Sequence, residues 1–426
     1  MAHASDGCDV PTGPGPGALV IGGDYRALGV VRSLGRRGIA AWVLRSADDH
    51  HLAELSRYCR RRVLFPDAGD EERVGFLLAL AQQHDLQGWV LFPSADATAA
   101  FVARAHQPLQ TAFRLTTPPW DQYRWAYDKR CTADLAATLG IDSPTTLPLS
   151  SRHDAERYDG EYPVLLKPAT KPRLNRPAAK GWRADDHVEL LRRFDEASLL
   201  TEPGTLMLQE LIPGRDGAQL SFAALCEGGR PLASVTAERV RQFPPDLGRS
   251  STFVTTVDNP VVEALGCRVL AALELTGLAE VEFKRDERTG CYKLLDINVR
   301  VWGWHTIARR AGLDFPYLAW RLALGRPVSV IRAPAGLRWL RLTTDLAASA
   351  PEVLRGQLPA ARYLRSLGGS HERAVLAADD LLPGLLEVPL FVGSAVSSPL
   401  AAALGSKTPM PRRLSRPKAG WPRALP

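Results

Sequence analysis

Residues 277–305 hold two runs in which apolar and charged side chains alternate, separated by a short turn that contains a glycine. Two such runs joined by a short glycine-containing loop predict a β-hairpin. Pairing of its strands would set Glu282 beside Asp296 on one face of the sheet. Asn298 and Arg300 follow at spacings of two residues, and alternation along a strand places them on that same face. The chain is therefore expected to fold around an antiparallel hairpin that carries paired acids.

Two carboxylates with a neighbouring carboxamide form a hard oxygen site, which suits Mg²⁺ or Mn²⁺ held jointly with phosphate groups. Glu282, Asp296 and Asn298 are therefore candidate metal ligands. A cation at Arg300 would bind negative charge that is transferred or develops beside the metal. The alternative is that the alternating charges form only a solvated face, and the hairpin sequence alone does not exclude it.

Length and charge exclude several classes of protein. A chain of 426 residues is long enough for two or three domains. The net charge is +7, but the segment from Lys407 onward carries six Lys and Arg residues and no acid, so the rest is nearly neutral. A nucleic-acid-binding stripe is therefore not predicted. The six cysteines form no CxxC pair, which favours a reducing cytoplasm and argues against a thiolate zinc site.

The terminal segments are expected to add little to the folded core. Residues 1–17 lack the apolar core of a secretory signal and are predicted to be a flexible lead-in. The apolar window Leu381 to Leu404 is interrupted by three prolines and by Glu387. A membrane span is therefore not expected there, and packed helices or a surface-docking segment are favoured. Residues 391–426 are predicted to be a disordered tail.

The N-terminal part of the chain predicts a doubly wound sheet. Residues 18–44 follow the order strand, glycine turn, helix and strand, which is a βαβ unit. Its glycines lack the GxGxxG spacing, so a nicotinamide oxidoreductase has little support. A later strand at 88–93 ends before Ser94 and Asp96, which are candidate substrate contacts because ligands collect at such strand ends. Either residue could instead cap the next helix.

Further motifs follow in a fixed order. A helical lysine precedes a lysine that ends an apolar strand, and a basic loop, an acidic hinge and the hairpin come after them. The segments concerned include Ile21–Gly23, Leu91–Asp96, Thr117–Trp120, Asp128–Arg130 and Asp296–His305. Together they resemble the ATP-grasp superfamily from residue 18 to about residue 330. Within it, the chain is most similar to the carboxylate–amine ligase branch that includes D-aspartate ligase-like enzymes.

The resemblance implies an α/β (α+β) fold with a defined domain order. A Rossmann-like pre-ATP-grasp domain is expected at 18–115 and a two-lobed ATP-grasp domain at 116–330. The second domain would divide into a lid-bearing nucleotide lobe at 142–208 and a metal-binding, catalytic lobe at 209–330. A helical C-terminal extension is expected at 331–390.

The resemblance also implies roles for individual residues. The expected ATP-binding residues are Lys129, Lys167, Lys180, Gln209, Glu210, Ile212 and Asp216. Lys129, Lys167 and Lys180 would contact the phosphates. Residues 209–212 would contact the adenine, and Asp216 would contact the ribose. Glu282, Asp296 and Asn298 would hold Mg²⁺ or Mn²⁺, and Arg300 would stabilise the transferred phosphoryl group. The second metal acid is usually Glu in this family, so Asp296 is a departure one methylene shorter.

Three further residues are candidates for the substrate site. Arg239 and Arg241 are two residues apart on one strand, and either is predicted to bind the substrate carboxylate. The alternative for both is a solvated strand face. His305 follows two tryptophans and could line the acceptor pocket, although a packed, hydrogen-bonded histidine is the more common outcome.

The activity implied by the resemblance is ATP-dependent ligation of a carboxylate to an amine. The carboxylate would become an acyl phosphate, and the amine would then displace phosphate to give an amide or peptide bond, with ADP as the other product. The expected partners are a small carboxylate and a small amine in the cytoplasm, with a homodimer possible. The alternatives are an ATP-grasp carboxylase that forms carboxyphosphate and a non-catalytic ATP-binding regulatory module.

Overall fold

The computed structural model describes most of the chain. The described residues are 15–170, 181–201, 204–213, 218–244, 248, 250–369 and 371–404, and side chains are described as far as residue 392. Lys180 and Asp216, both expected to bind ATP, lie outside the described residues. Within the described part, no helix has the length and apolar character needed to cross a membrane.

The first domain is a parallel five-stranded sheet with strand order β3-β2-β1-β4-β5. Its strands are β1 (Ala18–Ile21), β2 (Ala41–Arg45), β3 (Cys59–Leu64), β4 (Val90–Pro93) and β5 (Arg114–Leu115), and its helices are α1 (Tyr25–Gly35), α2 (Asp70–Gln83), α3 (Asp96–Arg104) and α4 (His106–Leu109). Leu19 and Val20 belong to different core clusters because successive side chains face opposite sides of the sheet. This arrangement confirms the predicted doubly wound domain.

Two helices, α5 (Trp120–Tyr127) and α6 (Lys129–Thr138), pack in one core with Val281 and Ile297 of the predicted hairpin. A small antiparallel sheet with strand order β6-β9-β7-β8 follows, at the position predicted for the nucleotide lobe. Its elements are β6 (Thr146–Leu149), α7 (Arg152–Glu156), β7 (Val164–Pro168), β8 (Trp182–Ala184), α8 (His187–Ser198) and β9 (Leu206–Glu210). Helix α8 places Leu190 and Phe194, which are four residues apart, against Leu166 and Leu208 of the sheet. This packing sets the end of β7 beside β9.

The catalytic lobe is built on an eight-stranded sheet with the path β14-β13-β10-β11-β12-β16-β17 and β15 paired to β11. Its elements are β10 (Gln219–Glu227), β11 (Arg230–Phe243), β12 (Ser250–Thr256), α9 (Pro260–Ala272), β13 (Gly277–Arg285), β14 (Tyr292–Asn298) and α10 (Phe315–Ala323). The predicted hairpin is thus the β13–β14 pair at the sheet edge.

The C-terminal extension contains strands as well as helices. Its elements are β15 (Ile331–Arg332), β16 (Arg338–Leu340), α11 (Leu342–Leu354), α12 (Ala360–Leu367), β17 (Glu372–Arg373) and α13 (Leu381–Leu404). Strand β16 pairs with β12 through Phe253 and Leu340, so the extension completes the large sheet. Helix α13 continues beyond residue 391, where the sequence was expected to become a disordered tail, and the interrupting prolines do not end it.

A buried ion pair fastens the extension to the first domain. Arg32 of α1 donates to the Asp380 carboxylate at 2.8 Å, and the exposed fractions of their side chains are 4% and 2%. Arg32 also donates to the carbonyl of Val375, and Ser56 donates to Asp380. In a neighbouring pair, Arg36–Asp379, the arginine again comes from α1 and the aspartate from the extension, but this pair lies at the surface.

We expect Arg32→Met to lower the free energy of unfolding by about 3–5 kcal/mol, since an unpaired Asp380 carboxylate would stay buried. Arg36→Met is the matched control, and its exposed pair should contribute less than about 1 kcal/mol. Urea unfolding followed by circular dichroism measures both. Equal losses for the two variants would contradict a dominant buried pair.

Candidate active site

The β13–β14 register brings the predicted acids together. In this antiparallel pair Glu282 lies opposite Asp296, and Glu280 lies opposite Asn298. Directly opposed residues on one sheet face have Cβ atoms about 4.5–5.5 Å apart, so the two carboxylates share one small region. The pairing expected from the alternation in the sequence is therefore present in the structure.

Glu282 is the centre of a polar network. Its Oε2 accepts from Gln219 at 2.7 Å and from Arg239 at 3.2 Å, and its Oε1 accepts from the Asn298 amide at 2.9 Å. The Asn298 Oδ1 accepts in turn from Arg300 at 3.1 Å. These contacts hold the candidate metal ligands and the candidate catalytic arginine in one connected set.

A second glutamate in this network was not identified from the sequence. Glu280 is 3% exposed and accepts from Trp304 Nε1 at 2.9 Å and from Asn298 at 3.2 Å. Burial and the charge of Glu282 raise the pKa of Glu280 to about 7. Its position was available from the alternation, because Glu280 is two residues before Glu282 and so shares its strand face.

Lys129, the first residue of α6, reaches the hairpin. Its Nζ lies 3.3 Å from Asp296 Oδ2, and its backbone N–H donates to the carbonyl of Ala169 at 2.9 Å. Asp128 caps the start of α6 and fixes the direction in which Lys129 leaves the helix. The structure therefore brings together Lys129 and Asp296, which are far apart in sequence.

Arg300 connects the hairpin to the first domain. Its Nε and Nη2 donate to the two oxygens of Asp96 at 3.0 and 2.9 Å. The exposed fractions of the two side chains are 9% and 27%, and the geometry is the bidentate one that arginine makes with carboxylates. Asp96, expected as a substrate contact, thus engages Arg300 and fixes its orientation.

The expected adenine hinge lies at the end of β9. Lys167 Nζ donates to Gln209 Oε1, and Gln209 Nε2 donates to Thr146 at 3.0 Å. The Glu210 carboxylate accepts from Lys293 Nζ at 2.9 Å through each of its oxygens. Ile212 is 4% exposed. The hinge is therefore tied by Glu210 to the strand that carries Asp296.

Three residues predicted to contact substrate are already paired or buried in the structure. Arg241 donates to both oxygens of Asp345 in α11 at 2.9 and 2.8 Å, so this guanidinium anchors the extension and is not available to a substrate carboxylate. His305 is 1% exposed and packs so closely on Gly29 that a Cβ there would lie 2.4 Å from the ring. Ser94 is 1% exposed beneath the glycine turn. These surroundings do not favour the substrate roles expected for the three residues, and those roles stay predictions.

The hairpin residues suit a magnesium ion that phosphate groups would share. Proteins often hold Mg²⁺ through only one or two carboxylates together with substrate phosphates. Glu282 and Asp296 supply two carboxylates, and the residues described contain no group of three or more His, Cys, Asp or Glu side chains arranged for a metal ion. The donor set therefore fits a nucleotide-bound ion and does not form a complete protein cage.

The fold and this site resemble those of ATP-grasp proteins, and the comparisons with known proteins point to the same superfamily. The family model that matches is described as ATP-grasp in the biosynthetic pathway with Ter operon, and it covers residues 202–344. Among curated proteins, the large chain of carbamoyl phosphate synthase from Thermomicrobium roseum is 22% identical over an alignment of 347 residues, which covers 75% of this chain. This chain spans only 30% of the length of that relative.

Solved structures share the fold at low sequence identity. L-amino acid ligase from Bacillus licheniformis has a TM-score of 0.57 and 16% identity, with 75% of this chain and 76% of that chain covered. The biotin carboxylase domain of 2-oxoglutarate carboxylase from Hydrogenobacter thermophilus, a complex with MgADP and bicarbonate, has a TM-score of 0.59, 15% identity, and coverages of 75% and 72%. N5-carboxyaminoimidazole ribonucleotide synthetase from Thermus thermophilus has a TM-score of 0.56, 17% identity, and coverages of 74% and 80%.

The family model and the similar structures support the predicted ATP-grasp resemblance, and the structure has the predicted α/β fold. ATP and Mg²⁺ are the ligands expected of the superfamily, and the residues of the hairpin fit them. The similar structures include an amino acid ligase and a carboxylase domain, so the comparisons leave the reaction open between these two types.

The turn of the hairpin carries an acid whose charge stabilises the fold. Asp286 accepts from Arg288 at 2.6 Å and lies 3.1 Å from Lys293 Nζ. These hydrogen bonds hold the pKa of Asp286 well below its usual value of 3.8. A folded-state pKa below the unfolded value contributes stability above the unfolded pKa, and that stability is lost as the pH falls through the folded value.

We therefore expect Asp286→Asn to lower the urea midpoint near neutral pH, with a deficit that shrinks as the pH falls below 3.8. Unfolding curves from neutral pH downward measure the difference from the parent protein. Asp159→Asn, at an exposed position, is the control and should show no such trend. A deficit that is constant with pH would contradict this account.

Proposed function

We propose that this protein is an ATP-dependent carboxylate–amine ligase that works through an acyl phosphate and releases ADP and phosphate. The observation that carries the proposal is the convergence of Lys129, Asp296, Glu282 and Arg300 where α6, the hairpin and the first domain meet. Cations and paired acids in one partly buried place are what transfer of a phosphoryl group to a carboxylate requires.

The nucleotide would be held from two sides. Lys129 and Lys167 carry ammonium groups suited to phosphate oxygens; Lys129 contacts Asp296 of the hairpin, and Lys167 contacts Gln209 of β9. Glu282, Asp296 and Asn298 would hold Mg²⁺, which neutralises phosphate charge when bound. Residues 209–212, at the end of β9, would form the adenine hinge.

Arg300 would bind the phosphoryl group during transfer. Its bidentate pair with Asp96 and its bond to Asn298 hold the guanidinium in one orientation before any substrate binds. Preorganised charge of this kind stabilises a transition state without the cost of reorganisation. Asp96 is then a positioning residue, because it acts through Arg300.

Arg239 is suited to the substrate carboxylate. Its Nη2 donates to Glu282, while its buried Nε has no hydrogen-bond partner among the described residues. A buried donor without a partner is costly, and a bound carboxylate oxygen would satisfy it. The carboxylate would then lie next to the metal ligands, where one of its oxygens would attack the terminal phosphorus of ATP as the bond from that phosphorus to the ADP oxygen breaks. The neutral amine would next form the C–N bond as the bond from the acyl carbon to the phosphate oxygen breaks, and the amine nitrogen would lose a proton.

We expect Glu282→Gln, Asp296→Asn and Arg300→Lys each to lower kcat for ADP release at least about a hundredfold, since each removes charge that stabilises the transferred group or misplaces it. Glu227→Gln, an exposed acid at the end of strand β10 beside the hairpin, should leave kcat unchanged. Coupled-enzyme assays of ADP release measure all four. Unaltered rates in the three site variants would support a non-catalytic module instead.

The reaction type is tested by screening small carboxylates and amines in pairs. We expect ADP and phosphate release to require one carboxylate and one amine together. With an ¹⁸O-labelled carboxylate, one labelled oxygen should appear in the released phosphate. Release that needs bicarbonate and no other carboxylate would overturn the ligase proposal in favour of carboxylation, as the similarity to a biotin carboxylase domain allows.

A further inference from the structure

A cavity of about 340 Å³ lies between the loop that follows β2 and the first turns of α13. Residues 47–52 form one side, and Leu390 and Phe391 form the other. The loop begins at the carboxyl end of a parallel strand, which is where open α/β sheets bind ligands. The volume is in the range of small-molecule sites.

The wall of the cavity contacts the segment 23–26, which lies near Arg300. Asp49, in its wall, accepts from the backbone N–H of Gly23 at 2.9 Å, at the turn where β1 ends. One residue later Asp24 pairs with Arg26 at 2.6 Å, and the charge of Arg26 is close enough to influence Arg300. Segment 23–26 therefore contacts the cavity wall through Asp49 and comes within electrostatic range of Arg300 through Arg26.

The lining contacts this region a second time through Arg341. Its guanidinium lies 4.2 Å from the ring centroid of Tyr25, and the Tyr25 hydroxyl is so near Gly303 that a Cβ there would lie 2.7 Å from it. Arg341 also pairs with Glu387 of α13 at 2.8 Å, where both side chains are largely buried. These contacts fix α13 as a wall of the cavity.

The polar end of the cavity is an acid without a cation. The Asp49 carboxylate accepts from two backbone N–H groups, those of Gly23 and His50, at 2.9 and 2.7 Å. Among the described residues, no Lys, Arg or His nitrogen makes a salt bridge with it. Burial and the nearby Asp24 raise the pKa of Asp49, as expected for a carboxylate that lacks a counter-charge.

The opposite side of the cavity is apolar. Leu390 packs against the main core, and Phe391 makes an edge contact with Phe243, with ring centroids 6.1 Å apart. Leu52 is buried and adds a third apolar surface. The charges of Arg341 and Glu387 neutralise each other, so the unbalanced negative charge of the lining comes from Asp48 and Asp49.

We propose that this cavity binds the amine substrate and that the substrate is a primary amine with an apolar substituent. Asp49 and the more exposed Asp48 would recognise the ammonium group beside His50 and His51, of which His51 already pairs with Glu54. Leu390 and Phe391 would determine how large an apolar group fits. The inference rests on the proposed ligase function, which requires an amine near Arg300. It adds the extension to the substrate site, so α13 becomes a determinant of specificity.

Direct binding tests the cavity without turnover. Saturation-transfer NMR with n-hexylamine should detect binding to the full chain, and Asp49→Asn should weaken it at least about tenfold because the counter-charge is lost. Leu390→Trp, which fills the cavity, should also weaken it. Val392→Ala, at a neighbouring exposed position on α13, is the matched control and should bind as the parent does. Unfolding midpoints equal to the parent's establish that each variant is folded.

Equal binding of n-hexylamine by the parent, Asp49→Asn and Leu390→Trp would overturn the cavity assignment, as would no binding to the parent. In the ADP-release assay, Asp49→Asn should raise KM for the amine at least about tenfold and leave KM for ATP unchanged. Phe391→Ala should shift the preference among n-alkylamines toward longer chains. If release depends on an amine but Asp49→Asn leaves its KM unchanged, only the cavity proposal fails; if no amine stimulates release, the proposed function fails.

Discussion

The register between β13 and β14 is the constraint on which the site depends. Because Glu282 stands opposite Asp296 and Glu280 opposite Asn298, the acids and the carboxamide occupy one face at one level of the sheet. A slip by one residue would turn these side chains to the opposite face, where Val281 and Ile297 now form core. Burial of Val281 and Ile297 therefore also holds the register that keeps these polar side chains together.

Each neighbouring unit is tied to this hairpin by charge. Lys129 of α6 pairs with Asp296, and Lys293 of β14 pairs with Glu210 at the end of β9. Arg300, just past the end of β14, holds the first domain through Asp96. Units that would hold different substrates must keep their relative positions. These short ion pairs lie between the hairpin and its neighbouring units, where they restrain those positions. The extension adds its own restraint through the buried Arg32–Asp380 pair, far from the chemistry.

Local pattern was informative where a residue's role follows from its own strand or helix. Alternation predicted the Glu282–Asp296 pairing, and the βαβ pattern predicted the first sheet. It was uninformative where the partner comes from a distant segment. Arg241 lies in an alternating run that suggested a substrate-binding residue. Its guanidinium instead donates two hydrogen bonds to the carboxylate of Asp345, 104 positions later. His305 likewise lies in a suggestive aromatic run, but the packing of α1 encloses it.

The sequence by itself determined the βαβ start of the first sheet, the hairpin with its acids, and the resemblance to ATP-grasp proteins, because these depend on periodicity and on residue types near one another. Only the tertiary structure decided which charges are already paired and which are not. Asp96 and Arg241 are engaged, whereas the Asp49 carboxylate faces a cavity without a salt-bridge partner among the described residues. The reason is physical: a side chain's charge state and availability depend on groups that only folding brings within a few ångströms of it.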